Sequence, residues 1–231
     1  LVADASRPAG GGGMAGPMVV PEPRVWFNPE LKSANYIVPG LFSLILMTFT
    51  PLLSTLAIVR ERERGSIQQI LAAPVSPLAL ILGKAVPYSL LGFLDMLLVV
   101  TAGLLWFQVP FRGSLVLLVL ASIVFVFCAV GIGLLISTVT RSQVVAILLA
   151  LAVTLMPSFL FSGLIFPIYS LPVRYQWASL AFPARHFTEI SRGLALRAAG
   201  PDQLWPHFLA LVIIAVAVMS LTVSRFHRRI G

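Results

Sequence analysis

The chain has 231 residues, of which 58% are hydrophobic and only 10% are charged, and its formal net charge is +8. Soluble domains carry roughly 25% charged residues, so the composition and a mean hydropathy of +0.98 exclude an ordinary soluble domain and indicate a protein solvated largely by lipid. The positive charge does not indicate nucleic-acid binding, because the basic residues lie in the gaps between apolar runs.

The first 36 residues differ in kind from the rest of the chain. They contain a run of glycines, Gly10–Gly13, and recurrent prolines. This composition predicts a flexible arm outside the bilayer, residues 1–36, followed by a transmembrane domain over residues 37–231.

Five apolar runs follow the arm. About 20 apolar residues cross a bilayer core of roughly 30 Å as a helix. We therefore predict an all-α polytopic bundle with five transmembrane helices: Ile37–Val59, Ala85–Phe107, Leu115–Val139, Val144–Ile168 and Leu204–Val223.

The stretch Phe166–Pro206 is rich in prolines and aromatic residues, which concentrate at the membrane–water interface. Within it, Ala184–Leu196 is amphipathic: Phe187, Ile190 and Leu194 share one face, and the charged residues, including Arg192, lie elsewhere. The pattern predicts a re-entrant or interfacial helix on the outer side, with an ordinary external loop as the alternative.

Lysine and arginine placement gives the orientation. The connecting segments place eight basic residues on the side of Arg60–Lys84, Arg141 and Arg225–Arg229, and five on the side of Arg112 and Arg174–Arg197. The positive-inside rule therefore places the first set in the cytoplasm.

No catalytic constellation is visible. The sequence has no nucleotide-binding G-x-x-x-x-G-K-[ST] motif, and its three histidines, His186, His207 and His227, lack metal-ligand spacing. We therefore predict no enzyme activity, cofactor or metal of the chain's own.

Asp95 is the only acidic residue within a predicted span, where a charge costs at least about 2.5–3.5 kcal/mol. It is predicted to be a pathway residue for substrate or protons. The alternatives are an interhelical hydrogen bond or a position near enough to the membrane interface for solvation.

The segment after the first span is a candidate interface with another protein. Charges alternate over Arg60–Arg64, Gly65 permits a chain break, and Ser66 suits the N-cap of a short helix. Ile67, Ile70 and Leu71 then share one face, which suits docking into a groove on another subunit. A solvated or membrane-surface helix is the alternative.

Four motifs in order carry a resemblance to a family: NPELKSANYIVPG, IVRERERGSIQQILAAPVSPLALILGK, LISTVTRSQ and PSFLFSGLIFPIYSLP. They resemble the permease subunits of ABC-2 type transporters, especially bacterial exporters of the drug-efflux kind. In that family the second motif is the cytoplasmic coupling helix that contacts the ATPase. The resemblance thus implies an ATPase-coupling interface at Glu61, Glu63, Arg64, Gly65, Ser66, Ile67, Gln68 and Gln69. The apolar face of the predicted helix adds Ile70 and Leu71 to this interface.

The resemblance implies a multi-pass protein of the bacterial inner membrane that exports an amphipathic, drug-like or lipid-like substrate by alternating access. Its expected partners are a separate ATP-binding cassette ATPase, a second permease half (identical or different) and membrane lipid. Such permeases usually have six spans, so the absent first span indicates a fragment or a truncated gene product, with Asn28–Tyr36 as the remnant of an external domain. An ion-coupled secondary carrier and a non-transporting membrane scaffold subunit are the alternatives.

Overall fold

The computed structural model describes residues 33–65, 77–165 and 167–230. Within these ranges the chain forms seven α-helices and one short 3-10 turn at Ile168–Ser170, without strands. The helices are α1 (Ser33–Glu63), α2 (Pro77–Leu105), α3 (Leu115–Val139), α4 (Gln143–Phe161), α5 (Val173–Leu180), α6 (Pro183–Arg197) and α7 (Pro201–Ile230). Five of them, α1, α2, α3, α4 and α7, are long and apolar enough to cross a membrane, which confirms the predicted all-α polytopic class.

The helix bounds agree best with prediction where the apolar run ends sharply. Helix α3 has the predicted bounds, and the Ser114 hydroxyl at its N-cap accepts a hydrogen bond from the Leu117 amide. Helix α4 ends at Phe161, well before the predicted Ile168, because the chain turns at Gly163 with a φ of +76°. Glycine adopts this left-handed conformation without steric cost.

Helix α1 is the centre of the bundle. It packs against α2, α3, α4 and α6, and α3 in turn packs extensively against α7. The short turn between α3 and α4 makes them consecutive antiparallel elements, but α1 lies against both of them more extensively than they lie against each other. A movement of α1 therefore reaches most of the other helices.

Helices α1 and α3 approach closely at Gly133. A Cβ atom on this residue would lie 2.8 Å from the Cα of Pro51. The Thr55 hydroxyl donates a hydrogen bond to the Gly133 carbonyl at 2.8 Å, and the Ser54 hydroxyl donates to the Val130 carbonyl at 3.2 Å. Small residues and interhelical hydroxyl bonds of this kind hold helices together where lipid removes the hydrophobic driving force.

The segment from Pro167 to Gly200, called here the re-entrant segment, enters the bundle. The ring of Phe187 on α6 stacks on Phe125 of α3 with centroids 4.3 Å apart, and Thr188 hydrogen-bonds Ser43 of α1. Phe125 and Ser43 each lie ten residues inside their helices, which is a depth of about 15 Å along each axis. Helix α6 therefore lies among the spans, as the prediction of a re-entrant helix at Ala184–Leu196 requires.

Candidate functional site

The C-terminal end of α1 brings together many of the charged side chains that follow the first apolar run. We call Arg60–Gly65, Lys84 and the α3–α4 turn Thr140–Gln143 the charged end. Glu61, Glu63, Arg64 and Gly65 of the predicted coupling interface lie here. The remaining predicted interface residues, Ser66, Ile67, Gln68, Gln69, Ile70 and Leu71, lie outside the described residues.

Two arginines of α1 bind the α3–α4 turn. The Arg62 guanidinium donates hydrogen bonds to the carbonyls of Ser137 and Thr140, at 3.0 and 2.6 Å. These carbonyls close the C-terminal end of α3, where backbone acceptors lack helical partners and a positive charge is favourable. Arg60 Nε donates to the Gln143 side-chain oxygen at 3.0 Å.

The glutamates of the charged end also have partners within the chain. The Gln143 backbone amide donates to Glu63 at 2.7 Å, and its side-chain amide donates to the other Glu63 oxygen. Glu61 forms an ion pair with Lys84 of α2. Both glutamates of the predicted interface thus tie α1 to its neighbouring elements.

Arg64 and Gly65 differ from these two glutamates. Both are exposed, as is Glu63, but no hydrogen bond or ion pair joins the Arg64 side chain to another element among the described residues. Gly65 has a φ of +76°, with enough open space that an added Cβ would meet no atom within 4 Å. The chain therefore leaves α1 through a left-handed turn, for which glycine is the least strained residue. This turn directs the chain into the segment that carries the rest of the predicted interface.

Asp95 lies deep in α2, about 15 Å along the helix axis from Leu105. Its side chain is partly buried, and it has no hydrogen-bond or ion-pair partner in the part of the chain that the structure describes. It lies on the same helical stripe as Lys84 and Tyr88, because spacings of 4 and 7 residues return to one face. The structure thus does not provide the predicted interhelical hydrogen bond within the described residues.

At the opposite end of α1, Arg192 of α6 is buried, with 6% of its surface exposed. Its guanidinium donates to the carbonyls of Tyr36, Gly163 and Leu164, at 3.2, 2.8 and 3.3 Å. It also lies 3.8 Å from the centre of the Tyr36 ring. Arg192 lies off the face of Phe187, Ile190 and Leu194, but it is buried, because backbone carbonyls and an aromatic face take the place of water around its charge.

Burial lowers the pKa of Arg192 by desolvation, and the nearby Tyr36 and Glu189 oppose this effect. An arginine keeps its proton in a folded protein, so the guanidinium remains a five-donor cation. It joins three parts of the chain, namely the start of α1, the end of α4 and α6. Gly40 makes room for it, since a Cβ there would lie 2.8 Å from Arg192 Nη2.

Two histidines that are far apart in sequence meet between α6 and α7. His186 Nε2–H donates to the Leu180 carbonyl at 2.8 Å, and its Nδ1 lies 3.2 Å from Nδ1 of His207. A neutral imidazole has one N–H, so Nδ1 of His186 accepts and His207 donates. Burial lowers the pKa of His186, and the bond to Leu180 opposes this effect. No sequence pattern indicates the pair, because a spacing of 21 residues matches no metal-ligand motif.

The comparisons with known proteins give the family. The profile of the ABC-2 family transporter proteins matches residues 16–223.

The chain belongs to the ABC-2 transporter family.

Three curated relatives come from Escherichia coli strain K12. The chain is similar to "Probable multidrug ABC transporter permease YbhS", with 36% identity over 93% of this chain and 57% of the relative. It is 32% identical to "Probable multidrug ABC transporter permease YbhR" over 90% of this chain and 56% of the relative. It is 31% identical to "Inner membrane transport permease YhhJ" over 93% of this chain and 58% of the relative. The chain thus spans somewhat more than half the length of the curated relatives it matches.

Membership of the ABC-2 family confirms the resemblance that the four motifs carry, and it makes the chain a membrane component of the ABC transporter class. The structure adds what the motifs alone do not show. Two of the four motifs meet at the charged end, where Arg60, Arg62 and Glu63 of the second bind Gln143 and the end of α3 in the third.

Proposed function

We propose that the chain forms the membrane-spanning permease part of an ATP-driven exporter of the bacterial inner membrane. A separate ATPase subunit binds and hydrolyses ATP, and two permease halves, identical or different, enclose the path. The observation that carries the proposal is the family match over nearly the whole described bundle, supported by relatives whose names contain "multidrug ABC transporter permease". An amphipathic or lipid-like substrate fits spans that offer apolar walls and few charges.

The charged end is the proposed attachment point of the ATPase, through Glu61, Glu63, Arg64 and Gly65 and the following residues 66–71. Its geometry supports a role in transmission. Ion pairs and hydrogen bonds tie the end of α1 to α2 and to the α3–α4 turn. A displacement applied at Gly65 would therefore move three elements together, and α1 runs from there for about 46 Å to the re-entrant segment.

The proposed orientation places the charged end and the C-terminal end of α7 in the cytoplasm, with the re-entrant segment outside. Basic residues at the charged end favour this side of the membrane. Single cysteines at Ser66 and Ser170, in a Cys128→Ala background, should react with an impermeant thiol reagent from opposite sides. Reaction of both from one side would contradict the orientation.

The interface itself is tested by Ile70→Asp in the complete transporter. A charge on the apolar face of residues 67–71 should abolish co-purification of the ATPase while membrane insertion is kept. Ser170→Asp is the matched control, because it adds the same charge at an exposed position outside the predicted coupling interface. Retention of the ATPase by the Ile70 variant would remove the coupling assignment.

Asp95 is the observation that favours the rival function, an ion-coupled carrier, because a half-buried carboxylate deep in a span is a natural ion site. Proteoliposomes separate the two functions. The exporter requires ATP and its ATPase, and Asp95→Asn should leave the ATP requirement intact. Transport driven by an ion gradient without the ATPase, and lost on Asp95→Asn, would favour the carrier.

A further inference from the structure

A cavity of about 290 Å³ lies between α1 and α2 at the charged end. Its deeper wall is apolar and consists of Leu53, Leu56 and Ala57. Its mouth carries Arg60 and Arg64, which lie one helical turn apart on the same face of α1. The cavity is thus apolar toward the membrane interior and basic where α1 leaves the apolar region.

The positive charge of this mouth is not neutralised within the described chain. Among the described residues that line the cavity, Glu61 is the only carboxylate, and it is ion-paired with Lys84. Both oxygens of Glu63 are bound by Gln143. Within the described ranges neither Arg60 nor Arg64 forms an ion pair, and Arg60 uses only its Nε in the bond to Gln143. Most of the N–H donors of the two guanidinium groups are therefore open to a ligand.

Two further features fit an amphiphile. Tyr88 of α2 lines the cavity, and its hydroxyl has no hydrogen-bond partner in the described part of the chain. Above the cavity the apolar surface of α1 continues through Leu53 and Phe49, whose side chains are 46% and 52% exposed. A ligand with an anionic head and an apolar tail would satisfy all of these groups at once.

We propose that this cavity binds the phosphate of an anionic phospholipid. Arg60 and Arg64 contact the phosphate oxygens, for which the planar guanidinium fork is well matched. Tyr88 donates a third hydrogen bond, and one acyl chain lies along Leu53 and Phe49. The apolar wall favours a lipid over free phosphate, because an inorganic ion has no apolar surface to bury against it. Basic pockets between membrane helices are a known setting for anionic lipid headgroups.

The test uses the full chain in nanodiscs that contain phosphatidylcholine and phosphatidylglycerol, and native mass spectrometry counts the lipids retained on release. The ATPase is absent, so the result does not depend on the proposed transport function. Wild-type protein should retain phosphatidylglycerol in preference to phosphatidylcholine. Arg60→Gln with Arg64→Gln should weaken this preference about 30-fold, because the phosphate loses both of its guanidinium partners in the cavity.

The matched control is Arg141→Gln with Arg225→Gln, which removes the same charge outside the cavity and should keep the preference. Because Arg60 also holds Gln143, Arg64→Gln alone serves if the double variant does not fold, with a smaller loss of the same sign. Equal retention of both lipids by the wild type, or equal losses in the test and control pairs, would overturn the site.

Two further experiments identify the ligand that the cavity binds. Excess inorganic phosphate should not displace the retained phosphatidylglycerol, and displacement would show that the site recognises free phosphate. Leu53→Asn should reduce lipid retention because it interrupts the apolar wall. Unchanged retention in this variant would overturn the assignment of a lipid tail to the cavity.

Discussion

The charged end and the re-entrant segment hold α1 at its two ends with side chains that differ in burial, although an arginine binds backbone carbonyls at each end. At the charged end, Lys84, Glu61 and Glu63 pair across a surface that is at least partly exposed. At the re-entrant segment, Arg192 is buried and binds backbone carbonyls. Exposed ion pairs contribute about 0–1 kcal/mol each, whereas removing a buried charged partner leaves groups without water or hydrogen bonds. The comparison indicates that the Glu61–Lys84 ion pair contributes less to stability than the buried contacts of Arg192.

The largest expected effect comes from Arg192→Met. The carbonyls of Gly163 and Leu164 lose their donor in a buried site, so we expect a loss of roughly 3 kcal/mol or more in the free energy of unfolding. The matched variant at the other end is Lys84→Met, which removes a partly exposed ion pair and should cost about 0.5 kcal/mol. Denaturant unfolding in detergent measures both. Equal losses would break the comparison.

Two glycines sharpen the comparison with a smaller effect. Gly40→Ala places a Cβ 2.8 Å from Arg192 Nη2 and 2.5 Å from Leu164 Cδ1, and this overpacking should cost roughly 2 kcal/mol. In Gly65→Ala the added Cβ meets no atom within 4 Å. The only cost is the left-handed backbone conformation that alanine must adopt, about 1 kcal/mol of stability. Thermal unfolding of the two variants in one detergent ranks them. A greater loss for Gly65→Ala would contradict the account.

A third effect depends on pH and involves His186 of the re-entrant segment and its neighbour His207 on α7. His186 is held neutral there, since its pKa is lowered by burial. Because the unfolded chain then binds more protons, stability is fully present above about pH 6.5 and falls as the pH drops below it. Protonation of both histidines would set two N–H donors against each other at 3.2 Å, a loss of about one hydrogen bond.

The charges that face this pair are Arg185 and Glu189 on α6 and Arg197 at its end, together with the Leu180 carbonyl. His207→Gln removes the second titrating ring and should flatten the dependence of thermal stability on pH between about 5 and 7. An unchanged profile would show that the histidine pair does not control it.

The contrast also explains what the sequence could predict. The bounds of α3 were predictable because a uniform apolar run stops at polar residues on both sides. The buried face of α6, with Phe187, Ile190 and Leu194, was predictable from helical periodicity. The early end of α4 was not, because Leu164 and Ile165 continue the apolar run beyond the turn at Gly163.

Arg192 and the histidine pair could not be predicted for a related reason. Amphipathic patterns assign arginine to the polar face, and only the fold shows that carbonyls of Tyr36 and Gly163 surround this one. At the charged end, the alternating charges of Arg60–Arg64 and the apolar face that follows them predicted an interface with another protein. They did not show that Glu61 and Glu63 already bind Lys84 and Gln143.

The central claim is that the charged end contacts the ATPase. Its most direct test is cross-linking of the complete transporter, with its ATPase, in membranes. We compare the variants Arg64→Cys and Ser170→Cys, each in a Cys128→Ala background. The cross-linker reacts with the introduced cysteine at one end and with a lysine at the other. Both positions are exposed, so their reactivity is comparable. We expect a cross-linked product with the ATPase from position 64 and none from position 170. A product from position 170, or ATP-driven transport by a complex in which position 64 never cross-links to the ATPase, would contradict the claim.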